Sequence, residues 1–198
     1  MWACSSNETA TPHQISISSI PMGTMAVCSV PNPSMASLAL GSSMYVKALD
    51  SMSVSKDLDR GLHLYDILSG GKTSDRELII ALAPVKAREL SCLFISRLDP
   101  AETISAVTAG DTTISTRSYE GRDIHTLSVP SGQLHYYHHM GMTIASMDAL
   151  YIEQSLLQTT SGINMAKDKE FVKAYDRIAS SDEVAVAFSP SSVADFMS

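Results

Sequence analysis

The sequence is short of most features that announce a chemistry. Its 14 lysines and arginines stand singly against 21 acidic residues, for a net charge of −7. Nucleic-acid binding relies on concentrated cations that displace counterions from phosphates, so no nucleic-acid partner is expected. No apolar run approaches the roughly 18 residues that a membrane-spanning helix takes. Cysteine is scarce: Cys4, Cys28 and Cys92 are odd in number and far apart, which suits neither a disulfide framework nor zinc spacing. Cys28 and Cys92 fall within apolar strand-like runs and read as buried thiols. There is no Gly-x-Ser-x-Gly elbow, no His-Glu-x-x-His and no Gly-x-Gly-x-x-Gly. Gly70-Gly71-Lys72-Thr73 lacks the first glycine of a phosphate-binding loop and follows a helix, so it reads as a helix exit. No catalytic residue and no cofactor is expected from these patterns.

What is present is a globular composition, 44% hydrophobic and 18% charged. Residues 1–13 are polar and read as a flexible tether, and residues 14–198 as one α+β domain. "QISISSI" alternates Ile15 and Ile17 with serine, which predicts a half-buried strand, and Thr24 to Val30 predicts another. Asn32 and Pro33 mark a helix start, with the helix continuing through Met35, Leu38, Tyr45 and Leu49. A second helix carries Leu58, Leu62, Tyr65 and Leu68 and ends at Gly70-Gly71. "RELIIALAPV" and "ELSCLFISRL" are continuous apolar runs that predict a buried hairpin, with Leu78, Ile80, Leu93 and Ile95 in the core. Asp99 and Pro100 open a short helix that Gly110 closes.

"TTISTRSYEG", "RDIHTLSV" and "QLHYYHHMGMTIAS" predict a three-stranded antiparallel meander joined by "EG" and "PSG" turns. Two helices follow, one on Leu150, Ile152, Leu156 and Leu157 up to Gly162, the other on Phe171, Tyr175 and Ile178. "DEVAVAFS" returns as a buried strand, and Pro190 begins a last helix so short that the natural protein is expected to continue beyond Ser198. This order predicts an α+β fold: a mostly antiparallel sheet, meander plus buried hairpin, with helices packed on one face.

The stretch from His135 to His139 holds three histidines and two tyrosines. A loop of two or four residues at "PSG" places His125 directly opposite His138, Leu127 opposite Tyr136 and Val129 opposite Leu134. Directly opposed Cβ atoms lie about 5 Å apart, which suits two imidazoles sharing a metal ion. His135 and His139 then project from the other face, and no third ligand is set by spacing, so packing on a half-exposed sheet is favoured over a metal site at His125 and His138.

"MWACSSNETATPHQ" opens with apolar and small residues before Cys4 and continues as a polar tether. The end of a bacterial lipoprotein signal looks like this, with the cysteine lipidated; the basic and apolar parts of such a signal are absent from this chain. The bland reading, an unremarkable cysteine near a chain start, stays open.

The runs from Arg76 to Leu98, from Arg117 to Val129 and from Leu134 to Pro190 resemble a Bacteroidetes-type lipoprotein family catalogued as domain of unknown function number 3352. Tyr119, Gly121 and Ile124 match its Tyr-x-Gly-x-x-Ile meander, Ser146 its strand end before a helix, and Asp168 and Phe171 its Asp-x-x-Phe helix. The resemblance covers roughly residues 15–198. It implies an envelope protein, periplasmic or surface-exposed at the outer membrane, and a longer natural chain, but no catalytic residue. The expected function is a non-catalytic envelope lipoprotein domain with a binding or assembly role, anchored to the membrane at Cys4 and engaging a protein partner. The alternative is a metal-binding protein or hydrolase centred on the histidine-rich hairpin, residues 122–142.

Overall fold

The computed structural model describes residues 16–32, 54–71, 77–86, 89–98, 100–101, 103, 112–179, 183–189 and 191–192. Cys4, the helix expected after Pro33 and most of the helix expected after Asp99 lie outside the described residues.

Eight strands form one sheet. In chain order they are β1 (Ala26–Val30), β2 (Leu78–Lys86), β3 (Glu89–Ser96), β4 (Thr113–Tyr119), β5 (Arg122–Val129), β6 (Gly132–His139), β7 (Met142–Ser146) and β8 (Ala185–Phe188). The spatial order is β4-β5-β6-β7-β3-β2-β1-β8, and every neighbouring pair is antiparallel. Among the described residues three longer helices accompany it: α1 (Val54–Ser69), α2 (Ala149–Ser161) and α3 (Lys169–Ala179). The fold is α+β with a mostly antiparallel sheet.

The helices cover both faces of the sheet, not one as expected. Leu78, Ile80 and Leu82 pack in one apolar cluster with Leu58, Leu64, Tyr65 and Leu68 of α1. Their alternates Ile79, Ala81 and Ala83 pack in a second cluster with Tyr151, Ile152 and Leu156 of α2 and Phe171 and Tyr175 of α3. Strands that read as continuous apolar runs have no polar face to leave in water, so both sides need a layer. Leu78 and Ile80 are 1% and 2% exposed, and Leu93 and Ile95 are fully buried, as the hairpin reading requires.

Several local signals hold. Helix α1 ends where the amide of Gly70 donates to the Ile67 carbonyl and that of Gly71 to the Asp66 carbonyl. Asp148 caps α2 by accepting from the amides of Leu150 and Tyr151 at 2.8 and 3.0 Å. Asp168 does the same for α3 at Glu170 and Phe171. Other expectations fail in whole or in part. Residues 16–18 form a helical turn instead of a strand, and Ile17 and Ile20, three apart, are buried together with Ser16 and Ser19. Of the stripe expected on α2, Ile152 and Leu156 are buried, while Leu150 and Leu157 point outward at 67% and 44% exposure and Tyr151 and Ser155 are buried in their place. Strand β8 is a half-exposed sheet edge, not a buried strand.

The meander has four strands, since Met140-Gly141 breaks the last expected strand into β6 and β7. Both residues have positive φ, 49° and 79°, as do Glu120 and Gly121 at 50° and 73°. Two successive positive φ values make the two-residue turn whose twist matches the flanking strands, and glycine in second place adopts it without strain. At "PSG" the turn residues are Pro130-Ser131, and Val129 pairs with Gly132. Proline has no N–H with which to close a hydrogen-bonded strand pair, and its fixed φ suits a turn corner.

Candidate functional site

The meander β4-β5-β6-β7 carries four of the six histidines, distributed over two faces. Side chains alternate along each strand, so His125 and His138 lie on the α1 side with Leu127, Leu134 and Tyr136. His135 and His139 lie on the α2 side with Ile124 and Tyr137. The assignment of faces agrees with the sequence reading, while the pairing needs correction.

His125 is opposite Tyr136, not His138, and Leu127 is opposite Leu134. The register is displaced by two residues because the turn sits on Pro130-Ser131; a two-residue displacement preserves the faces and changes every partner. Tyr136 therefore occupies the place expected for the second imidazole. Its ring lies 5.1 Å from that of His125 and 5.5 Å from that of His138, and the two imidazoles are 6.1 Å apart on a diagonal. Tyr136 is 2% exposed, and burial pushes its phenol up to about 12.

Each imidazole of this face is oriented by a threonine. Thr116 meets Nδ1 of His125 and Thr143 meets Nδ1 of His138, both at 2.9 Å. The Thr143 hydroxyl also donates to the Leu98 carbonyl at 3.1 Å. Thr143 thus ties the His138 ring to the Leu98 backbone. Two diagonal imidazoles fall short of the three protein ligands of a catalytic zinc, and among the described residues no group of three or more His, Cys, Asp or Glu is arranged to hold a metal ion.

The opposite face holds a polar row that sequence patterning did not single out. Ser115 pairs with Thr126, Thr126 with His135, and His135 with Ser146, so four polar residues cross four strands in register. Thr126 meets Nδ1 of His135 at 2.9 Å. Ser146 donates to the Cys92 carbonyl at 2.8 Å and accepts from the Asp148 amide at 3.1 Å. Its proton is committed to a backbone carbonyl, so it is not arranged as a nucleophile that His135 deprotonates. Beside this row Arg117 of β4 forms an ion pair with Glu153 of α2 at 2.6 Å. The second terminal nitrogen of Arg117 is buried and has no hydrogen-bond partner among the described residues. Arg117 and Glu153 are distant in sequence and meet only because α2 crosses the meander.

Burial pulls His135 below the ordinary imidazole range; Arg117 adds to this, and Asp148 and Glu153 oppose it. His139 is lowered by burial and by Arg122. A lowered folded-state value means that the unfolded chain binds the proton more readily, so stability is complete above pH about 6.5 and is lost as pH falls through the folded values. The melting temperature is therefore expected to drop between about pH 7.5 and 5.5, and to drop less in a His135→Gln, His139→Gln double variant. Equal slopes for the two proteins in a differential-scanning pH series would exclude these two groups as the source.

The two remaining cysteines among the described residues are buried free thiols, as expected. Burial pushes Cys28 up to about 12, which makes it inert as a nucleophile at neutral pH. Comparison of the chain with protein-family models, curated proteins and solved structures found no match.

Proposed function

We propose that this is a non-catalytic binding or assembly domain of the cell envelope, with the meander as its working surface and a lipid on Cys4 as its membrane anchor. The observation that carries the binding role is strand β4. It is a seven-residue edge of the sheet, and Thr113, Ile114, Ser115, Thr116 and Ser118 are exposed. Unpaired strand edges offer rows of N–H and C=O groups to another chain.

The hydroxyl geometry supports a non-catalytic role. Ser146 and Thr143 both spend their protons on backbone carbonyls, and the imidazoles are held by threonines on two separate faces. The envelope location rests on the sequence around Cys4 and on the resemblance to the lipoprotein family. No helix among the described residues is long and apolar enough to cross a membrane. A single acyl chain binds a bilayer only marginally, so stable attachment through Cys4 takes the multiple acylation that bacterial lipoproteins carry.

Fractionation of cells expressing the full-length gene tests the anchor. Wild-type protein is expected in the membrane fraction, and either Cys4→Ser or inhibition of the lipoprotein signal peptidase should release it or leave its precursor unprocessed. Identical partitioning under all three conditions would remove the lipid from the proposal.

A further inference from the structure

We infer that β4 is the dimerisation edge of this protein: two copies pair antiparallel through β4 about a two-fold axis at Thr116, so that one sheet runs through both. This deepens the assembly reading above by naming the partner. The hairpin of β4 and β5 closes on the pair Tyr119 and Arg122 across a two-residue turn, and such turns close on a hydrogen-bonded pair. Hydrogen-bonded and non-bonded pairs alternate, so Arg117, Ser115 and Thr113 also turn their backbone groups towards β5. The N–H and C=O groups of Ser118, Thr116 and Ile114 then point to the outer edge, where no strand among the described residues meets them.

Native sheets protect such an edge with lysine, proline, a bulge or short length. Strand β4 has none of these: Thr113–Tyr119 contains no lysine, proline or glycine, and its register with β5 is unbroken over seven residues. The opposite edge of the sheet, β8, is only four residues long.

A second copy is the occupant that the side chains fit. A two-fold at Thr116 places Ile114 against Ser118 and Thr116 against Thr116 on the α1 side, and Thr113 against Tyr119 and Ser115 against Arg117 on the α2 side. All three outward-facing residues find partners. Arg117, the only charged residue of the strand, faces a serine. Sliding one copy by two residues breaks this: one direction opposes Arg117 to Arg117, the other leaves Ser118 with no partner on the strand. Threonine pairs and aromatic pairs with β-branched residues are favourable across strands, and opposed like charges are not.

Sedimentation equilibrium of the full chain in its Cys4→Ser form, which separates this question from the anchor, is the test. The expected result is a reversible monomer–dimer equilibrium within the micromolar to millimolar range. Thr116→Pro removes the outward N–H together with the hydroxyl that meets His125, and Thr116→Val removes the hydroxyl alone; the proline variant should weaken association by about tenfold or more relative to the valine variant. If that variant does not fold, Thr116→Lys replaces it: two lysines opposed on the axis should give a folded monomer. Wild type that stays monomeric to about 1 mM overturns the inference, including when a strand from another protein binds β4 instead. So does a dimer that survives both substitutions.

Discussion

Ile80→Asp is expected to leave no folded protein. Ile80 is 2% exposed on β2, with Cys28 of β1 on one side and Phe94 of β3 on the other, and α1 packs over the cluster that contains it. A carboxylate placed there loses its water and meets only apolar side chains. Ionised, it costs several kcal/mol after relaxation; protonated, it still lacks a hydrogen-bond partner. Domain stability is about 5–15 kcal/mol, so one such substitution consumes much of it and removes the isoleucine's own packing as well. The conservative Ile80→Val should cost only about 0.5–1.5 kcal/mol and keep a cooperative melt. Soluble Ile80→Asp with an unchanged melting temperature would show that this strand position is not interior.

Gly61→Ala should destabilise the protein by about 1–3 kcal/mol, although alanine is the better helix former by roughly 1 kcal/mol. Gly61 lies inside α1, and a Cβ built on it would stand 2.6 Å from Cε2 of Phe94. Phe94 is fully buried and lies against Tyr65, so its ring has no open space to enter. The helix would have to rise from the sheet, loosening the contacts of Leu58, Leu64 and Leu68. Gly61→Leu should be worse still. In a Phe94→Leu background the penalty of Gly61→Ala should shrink, because the smaller side chain leaves room. Urea denaturation of the four proteins gives the coupling directly, and a stabilising Gly61→Ala in the wild-type background would refute close helix–sheet contact here.

Much of the architecture was legible because its signals are local. The apolar runs of β2 and β3, the exits at Gly70-Gly71 and Gly162 and the turn at Glu120-Gly121 each depend on a few adjacent residues. The stripe of α3 at Phe171, Tyr175 and Ile178 was equally plain, since these are its largest apolar residues and they recur at helical spacing. On helix α2 the stripe read as Leu150, Ile152, Leu156 and Leu157; Ile152 and Leu156 are buried, but Tyr151 is buried where the two outer leucines are not. The tyrosine face was buried because the fold supplies partners for its hydroxyls: Tyr151 meets Thr24, and Ser155 meets Tyr137 and the Ser19 carbonyl. Those partners come from distant strands and segments.

The histidine stretch shows the same division. Which imidazoles share a face followed from the sequence alone, because side chains alternate along a strand and that parity survives a displacement of two residues. Which group stands directly opposite His125 depended on where the chain turns. Proline took the corner, and Tyr136 came between the two imidazoles. The row from Ser115 to Ser146 and the Arg117–Glu153 pair needed more: a register summed over three hairpin connections and a helix laid across the result. By itself the sequence determined most of the described elements, the strand faces of the meander and the absence of clustered cations. Only the tertiary structure decided that both sheet faces are covered, that β4 is left as an edge and which polar groups meet across it. Covalent neighbours and turn geometry act over a few residues, whereas layer order and register depend on how all the apolar surfaces are buried at once.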